Sequence, residues 1–390
     1  MAGLKIISWN ANGLISRKLE LDHLLHSESI DICLVTETHC TANFTITHTP
    51  HYQIYHTYHP TGTARGGTAV YIKKALAHAA GHWHTDDNVQ LTSITLSPQH
   101  QSIQIASCYC SPSARLDTLD FELILNYLGP RYIIGGDFNA KHPSWGSLTT
   151  SSRGKTLYKV LQHCGATGIP TPGPTYWPAD IAKNPDVIDF FITRNLGLHS
   201  TQVTTLADLS SDHIPILLET SIAPIRRFNQ PPLTTKLTDW EHYRSFLESK
   251  ILLHQRIKST TDLDRATAEF ASLLQEAASR ATPVPTTVAT PPVPTYPSRI
   301  RYLVANRRRA RREWQQTRSP EARRAYNKIN NFLHKELRKH RNEGLSHFLA
   351  NLSPTADKDY SLWRATRKFR NAPSPITPPL LSNGTWHNKP

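Results

Sequence analysis

The stretch 134–139, IGGDFN, closes an apolar run, RYII, with a carboxylate, Asp137, and an amide, Asn139. In an extended strand, side chains at i and i+2 share a face, so the two project together from the strand's C-terminal end. Such a pair can hold a water, the carboxylate taking its proton and the amide orienting it. Asp and Asn are also common turn formers, so the pair taken alone fits a plain turn better. Gly135 and Gly136 permit close approach by backbone or ligand. Other strand ends are polar too. WNANG carries Asn10 and Asn12 at the same spacing, and VTETH ends an apolar run in Glu37, where an unpaired carboxylate is costly. DVIDFFI embeds Asp189, and SDHIPI sets Asp212 and His213 before a final strand. Each alone fits a satisfied structural group. Together they offer a carboxylate and amides for a hard cation, and a histidine with acids for proton transfer.

The elements that must position these residues are mostly short. LKIISWN, IDICLVTE, GGTAVYIK, VQLTSITL, QSIQIASCYC, RYIIGGDFN, DVIDFFIT, STQVTTL and HIPILLE read as strands. RKLELDHLLHSE and LDTLDFELILNYL read as helices, the second stopped at Gly129-Pro130. So many strands with few helices between them do not suit a doubly wound parallel sheet. They predict an α/β domain over residues 1–222, a four-layer sandwich of two packed mixed β-sheets flanked by helices. Composition changes at Pro224. Residues 223–282 read as a linker and a helical hairpin, with Thr238 and Glu241 placed as a capping box. Residues 283–298 are a proline-rich linker, 299–370 a basic helical connector and 371–390 a proline-rich tail without strand or helix period. In the connector, Ser319 reads as an N-cap with Pro320 behind it, and Ala322, Tyr326, Ile329, Leu333 and Leu337 form an apolar stripe.

The net charge of +14 is uneven. Residues 299–343 hold 15 Lys+Arg against 4 Asp+Glu, whereas residues 1–222 hold 14 against 17. A solvated helical face is the bland account of such a run; the density here favours a polyanion, RNA or DNA, as its partner. The five cysteines form no CxxC pair, which suits a reducing compartment. The opening MAGLKIISWN lacks a signal-peptide apolar core and no run reaches membrane-span length, so an intracellular protein with no membrane partner is expected. The histidine-rich tracts HTPHYQIYHTYHP and HAAGHWHTDD lack fixed ligand spacing, and read as surface or packed histidines rather than a zinc site. His142 and Trp145 read as supports for the loop after Asn139.

In order along the chain, WNANG, ETH, RGGTAVYI, SCYCSPS, GGDFNAKHPSWGS, Arg153-Gly154, DVIDFFI and SDHIPI resemble the endonuclease/exonuclease/phosphatase family. The resemblance covers residues 4–220 and is strongest to endonuclease domains of jockey-type non-LTR retrotransposons. It implies a DNase I-like fold and a Mg²⁺-dependent DNA endonuclease, with Mn²⁺ as a possible substitute. Glu37 then resembles the main metal carboxylate, with Asn10 assisting and Asp212 on the metal side. Asp137 resembles the group that aligns or deprotonates water, Asn139 its orienting partner, and Tyr109 a phosphate contact. His213 resembles the group at the scissile phosphate, with Asp189 fixing its tautomer. Arg65, Ser211, Thr175 and Asn12 are implied substrate contacts. Asn12 stands where many repair-type members carry an acid, which puts a second metal there in doubt.

Residues past 222 resemble, more loosely, the connector before a reverse transcriptase. No ADD-type polymerase triplet occurs, so a fragment or truncated copy of a longer element is expected, with the polymerase as a partner in the full-length element. RRRARR also suits a nuclear-import signal, and a nuclear location is expected. The competing readings are an apurinic-type repair endonuclease and a non-catalytic nucleic-acid-binding relic of a decayed element.

Overall fold

The computed structural model describes residues 3–46, 48–96, 102–196, 201–225, 233–235, 237–251, 257–283, 296–355, 361–369, 380–382 and 385–387. It divides into two compact units, Met1–Pro297 and Ser298–Pro390.

Chain order in the first unit begins β1 (Leu4–Asn10), α1 (Leu14–Ser27), β2 (Ile32–Thr36), β3 (Tyr52–Thr57), β4 (Thr68–Lys73), β5 (His78–Thr85) and β6 (Val89–Leu96). It continues with β7 (Ile103–Cys110), α2 (Thr118–Tyr127), β8 (Tyr132–Asp137), a 3₁₀ turn at Pro143–Trp145 and α3 (Ser152–Cys164). Then come β9 (Ala166–Ile169), β10 (Asp189–Arg194), β11 (Gln202–Thr205) and β12 (Ile216–Thr220). They make two six-stranded sheets, β11-β12-β1-β2-β4-β3 and β5-β6-β7-β8-β10-β9. Each sheet holds one parallel pair, β1/β2 in the first and β7/β8 in the second, and the other pairings are antiparallel. A helix joins each parallel pair, α1 in one and α2 in the other, because parallel strands need a crossover. The C-terminal ends of these pairs are Asn10 and Thr36, and Cys110 and Asp137.

Strands buried on both faces read as continuous apolar runs. Here Ile6, Ile32, Leu34 and Val70 meet Ile105, Ile133 and Phe191 between the sheets. Their neighbours Ile7, Cys33, Val35 and Tyr71 face the other way, onto Leu21, Leu24 and Leu25 of α1. Likewise Ile134, Phe190 and Ile192 pack with Phe121 and Leu125 of α2 and Leu157 and Leu161 of α3. The layers are therefore helix, sheet, sheet, helices, the α/β four-layer sandwich expected.

Three of the twelve strands, β3, β5 and β9, escaped the sequence reading. All are edge strands. One-sided pairing leaves them partly solvated, so they carry histidine and glycine instead of an apolar run. The two histidine-rich tracts are largely these edges. Helix α3 also went unread, although Ser151 caps it and Gly165 ends it in the left-handed region.

The hairpin forms as α4 (Trp240–Lys250) and α5 (Thr260–Ala281). Its cap differs from the expected box. Asp239, not Thr238, accepts the amides of Glu241 and His242, both at 3.0 Å. The Thr238 hydroxyl instead accepts the Thr235 amide and meets Thr282 at 3.0 Å, because it is spent closing the two helix ends together.

The second unit contains α6 (Ser298–Thr317), α7 (Pro320–Ala350), α8 (Ser361–Phe369) and a two-stranded ribbon, β13 (Leu380–Ser382) with β14 (Thr385–His387). The ribbon lies in the tail read as having no strand or helix period; three-residue strands are too short to show one. Ser319 caps α7 with Pro320 at its first position. Ala322, Tyr326, Leu333 and Leu337 are buried, and Trp314 stacks on Tyr326 at 5.9 Å. Arg307 and Arg311 are buried, so the basic character is not all on the surface. Among the described residues no helix is long and apolar enough to cross a membrane.

Candidate active site

The ends of the two parallel pairs converge. β7 and β8 run in register, placing Tyr109 beside Asp137, and β10 pairs Asp189 with Asp137 from the other side. From the first sheet, Asn10 reaches across. Its Nδ2 donates to Glu37 Oε1 at 2.8 Å and to Asp137 Oδ2 at 2.9 Å. One amide thus ties both carboxylates together and joins the two sheets. His213 Nδ1 lies 2.8 Å from Asp189 Oδ2, with both residues buried. One ligating atom from each of Asp137, Asp189 and His213 falls within 4.8 Å of the others.

The turn and the chemical readings of the strand ends prove compatible. The Asn12 amide donates to Asn10 Oδ1 and the Asn139 amide to Asp137 Oδ1, each at 3.0 Å. Both are Asx turns. The strands stop at Asn10 and Asp137, and Asn12 and Asn139 turn left-handed, with φ of 43° and 47°. The i, i+2 strand argument therefore does not apply to either pair. Glu37 is also left-handed, at φ 47°, an unfavourable state for a residue of its type. The two glycines serve packing, not ligand access. A Cβ on Gly136 would lie 1.8 Å from Cys108 O, and one on Gly135 would lie 2.7 Å from the Phe191 ring.

Burial pushes the Glu37 carboxyl up, but hydrogen bonds from His39 and Asn10 outweigh it and hold it below its usual range. Asp137 is driven the other way, well above the ordinary carboxylate range, by burial and then by neighbouring Asp189. Burial lowers His213, yet the Asp189 carboxylate outweighs it and raises the imidazole to about 10. Burial, with Glu37 and Asp137 close by, keeps the Tyr109 hydroxyl protonated.

The remaining expected residues divide. Asn12 Nδ2 donates to Asp212 Oδ1 at 3.2 Å on the outer side of the site. Asn139 Nδ2 is tied to Cys110 O at 3.0 Å. Thr175 and Ser211 are buried with hydroxyls engaged by protein. Thr175 Oγ1 accepts the amides of Ile188 and Asp189, and Ser211 Oγ accepts Trp9 Nε1 and reaches Asn10 O at 2.7 Å. Arg65 is exposed, 3.9 Å from Asp87, on the loop whose Gly66 and Gly67 carbonyls accept the His39 and Thr38 amides. Trp145 is fully buried, stacks on Phe190 at 4.5 Å and donates to Ala140 O, while His142 caps the turn before it.

Three neighbours were not singled out from sequence. His39 Nε2 lies 3.4 Å from Glu37 Oε2, and the ETH motif did contain it. The Tyr176 ring packs 4.8 Å from His213, with no local signal to mark it. Arg153, present in the Arg-Gly pair, sends its guanidinium beneath the loops after β7 and β8.

Residues 7–213 match the model of the Endonuclease/Exonuclease/phosphatase family. The RNA-directed DNA polymerase from mobile element jockey of Drosophila melanogaster is 34% identical over 98% of this chain and 42% of its own length. The jockey protein of Drosophila funebris is 30% identical over the same shares. This chain thus spans about two-fifths of the curated relatives it matches. Among solved structures, the endonuclease domain of TRAS1, a telomere-specific non-LTR retrotransposon, is 18% identical. It covers 56% of this chain and 99% of its own, with a TM-score of 0.46. On the match to residues 7–213, the chain belongs to the endonuclease/exonuclease/phosphatase family.

Proposed function

We propose that residues 1–222 form a Mg²⁺-dependent DNA endonuclease that nicks a target strand and leaves a 3′-hydroxyl. Such a nick primes reverse transcription in a non-LTR retrotransposon. The observation that carries this is the Asn10 bridge: it sets Glu37 beside Asp137, against the His213–Asp189 pair, at one end of both sheets.

The residues fit a hard cation on the Glu37 side. Glu37 stays ionised, its side chain is 20% exposed, Asn10 bonds it directly, and Asp212 lies against Asn12, two residues on from Asn10. The Asp137–Asp189–His213 cluster is assigned to the proton side, since His213 Nδ1 lies 2.8 Å from Asp189 Oδ2 and both side chains are buried, an arrangement that suits proton handling. When bound, Mg²⁺ (or Mn²⁺ in its place) supplies positive charge to the phosphoryl and leaving oxygens. Asp137 takes the proton of the attacking water; its raised pKa makes it a stronger base than a surface carboxylate. With its Nδ2 held by Cys110, Asn139 accepts from that water through Oδ1. Protonated His213 donates from Nε2 to the phosphate, and Asp189 fixes the ring. Tyr109 donates a second hydrogen bond. Arg65 and Asn12 lie outside this group as contacts for flanking DNA, whereas Ser211 and Thr175 act through the loops they hold.

The test is nicking of supercoiled plasmid by the purified chain. Open circles with Mg²⁺, absent with EDTA and with His213→Ala, are expected. Folded protein that nicks under no Mg²⁺ condition leaves the binding relic. Strong preference for abasic duplex moves the reading to repair.

The basic segment 299–343 is proposed to grip RNA or DNA phosphates, in the nucleus, beside the polymerase of the full-length element. Lys335, Arg338 and Lys339 lie together on one face of α7, with Glu343 3.8 Å from Lys339. Arg338→Gln should weaken binding regardless of sequence and lower the slope of log K against log salt by about one. An unchanged slope would remove Arg338 from the interface.

A further inference from the structure

We propose that Arg153 is the positioning residue of this site, acting through the peptide that joins Phe138 to Asn139. Arg153 is 9% exposed. Its Nη1 donates to Phe138 O at 3.2 Å and Asn139 O at 3.3 Å. Its Nη2 donates to Ser111 O at 2.8 Å, to Pro112 O at 3.3 Å and to Ala114 O. All five acceptors are neutral carbonyls. Among the described residues no carboxylate pairs with this buried cation.

The carbonyls belong to two loops, one following β7 and Tyr109, the other following β8 and Asp137. Among the described residues, the side-chain bond from Asn139 Nδ2 to Cys110 O also ties these loops together. The guanidinium spans both with a rigid fork, which a lysine ammonium cannot do. The Phe138–Asn139 peptide has a second role. Its carbonyl accepts Arg153, and its N–H donates to Asp137 Oδ1 at 3.0 Å. Hydrogen bonds on both ends of one peptide strengthen each other. Arg153 thereby holds the Asp137 carboxylate in place without touching it. It also helps fix Asn139 in its left-handed state, which persists only where surrounding contacts over-determine it.

Helix α3 is built to deliver this side chain. Ser151 Oγ accepts the Gly154 amide at 3.0 Å and the Lys141 amide at 3.1 Å, docking the helix start onto the loop. A Cβ on Gly154 would lie 1.9 Å from Lys141 O, so the residue after Arg153 must be glycine for the helix to come this close.

The inference rests on the proposed nuclease reading, and two measurements keep them separable. The first needs no activity: hydrogen exchange of the whole chain, wild type and Arg153→Lys. The Ser111, Ala114, Phe138 and Asn139 amides are all hydrogen-bonded, so their exchange reports loop opening. They should exchange about tenfold faster in the variant, with the sheets unchanged. The second is plasmid nicking. Arg153→Lys and Arg153→Ala should lose about 10²-fold in kcat with KM within about twofold, the cost of a small misplacement. Guanidinium ion at millimolar concentration should recover part of the Arg153→Ala rate, and urea should not. Unchanged exchange at those four amides overturns the inference. So does a rate loss that merely follows the unfolded fraction and resists guanidinium. If wild type does not nick at all, the nuclease reading falls while exchange still reports on the clamp.

Discussion

His213→Gln should lower the single-turnover nicking rate about a thousandfold, with little change in DNA affinity. Loss of a positioned acid or base costs about 10²–10⁴-fold, and loss of one donor to a developing oxyanion about 10²–10³-fold. His213 is cast as such a donor and carries a full charge, so the upper end of the second range is expected. Its protonation comes from competing influences. Burial lowers its pKa, and the Asp189 carboxylate 2.8 Å away more than compensates, raising it to about 10. Wild-type nicking should therefore fall as pH rises through about 10, and the Gln variant should lose that limb. On the acid side the rate should rise as Asp137 loses its proton, at a pH above the ordinary carboxylate range. Stability follows the same group. Its pKa is raised in the folded state, so its contribution is fully present below the unfolded value of 6.5 and is lost as pH rises through about 10. Melting temperature against pH, compared between wild type and variant, checks this. A variant that keeps the basic limb would assign it to another group.

What the sequence made legible, it made legible through burial. An apolar run that ends in Glu37 or Asp137, or that encloses Asp189, leaves a carboxylate where solvent is scarce, and that contrast is readable without a structure. Asn10, Glu37, Asp137, Asp189 and His213 do meet. The contrast fades at the sheet edges. β3 and β5 pair on one side only, so they tolerate histidines that look like loop or ligand. It fails for contacts made by distant segments. Arg153 gathers carbonyls 14 to 42 residues away, and Tyr176 reaches His213 across an isolated bridge. No local pattern marks Tyr176, and the Arg153-Gly154 pair marks Arg153 without naming its partners. The strand-period argument also overreached. It assumed that Asn139 continued β8, whereas the Asp137 side chain caps a turn that ends it. The family resemblance implied Ser211 and Thr175 as substrate contacts. Folded, they are buried and spend those hydroxyls on the loops bearing Asp189 and His213.

Glu37→Gln should abolish Mg²⁺-dependent nicking, by at least about a thousandfold, and should also abolish the thermal stabilisation that Mg²⁺ gives the wild type. A ligand that binds only the folded state at 100 times its Kd stabilises by about 2.7 kcal/mol. For a domain of this size each kcal/mol moves the melting temperature by about 2–4 °C, so a shift of about 5–10 °C is expected in wild type. The substitution is isosteric, and Gln can still accept the Asn10 bond that Glu37 Oε1 now accepts, so the fold should persist. What it loses is charge. Hydrogen bonds from His39 and Asn10 hold Glu37 ionised despite its burial, which makes it the negative oxygen facing a cation. Asp137→Asn is the informative comparison. It removes the base but leaves Glu37 intact, so nicking should be lost while Mg²⁺ still raises the melting temperature. If the two variants behave in the opposite sense, the cation belongs with Asp137, Asp189 and His213 rather than with Glu37, because those three groups also lie close enough to share one ion. The two roles then exchange: Glu37 becomes the candidate base, and His213 can no longer be the charged donor to the phosphate.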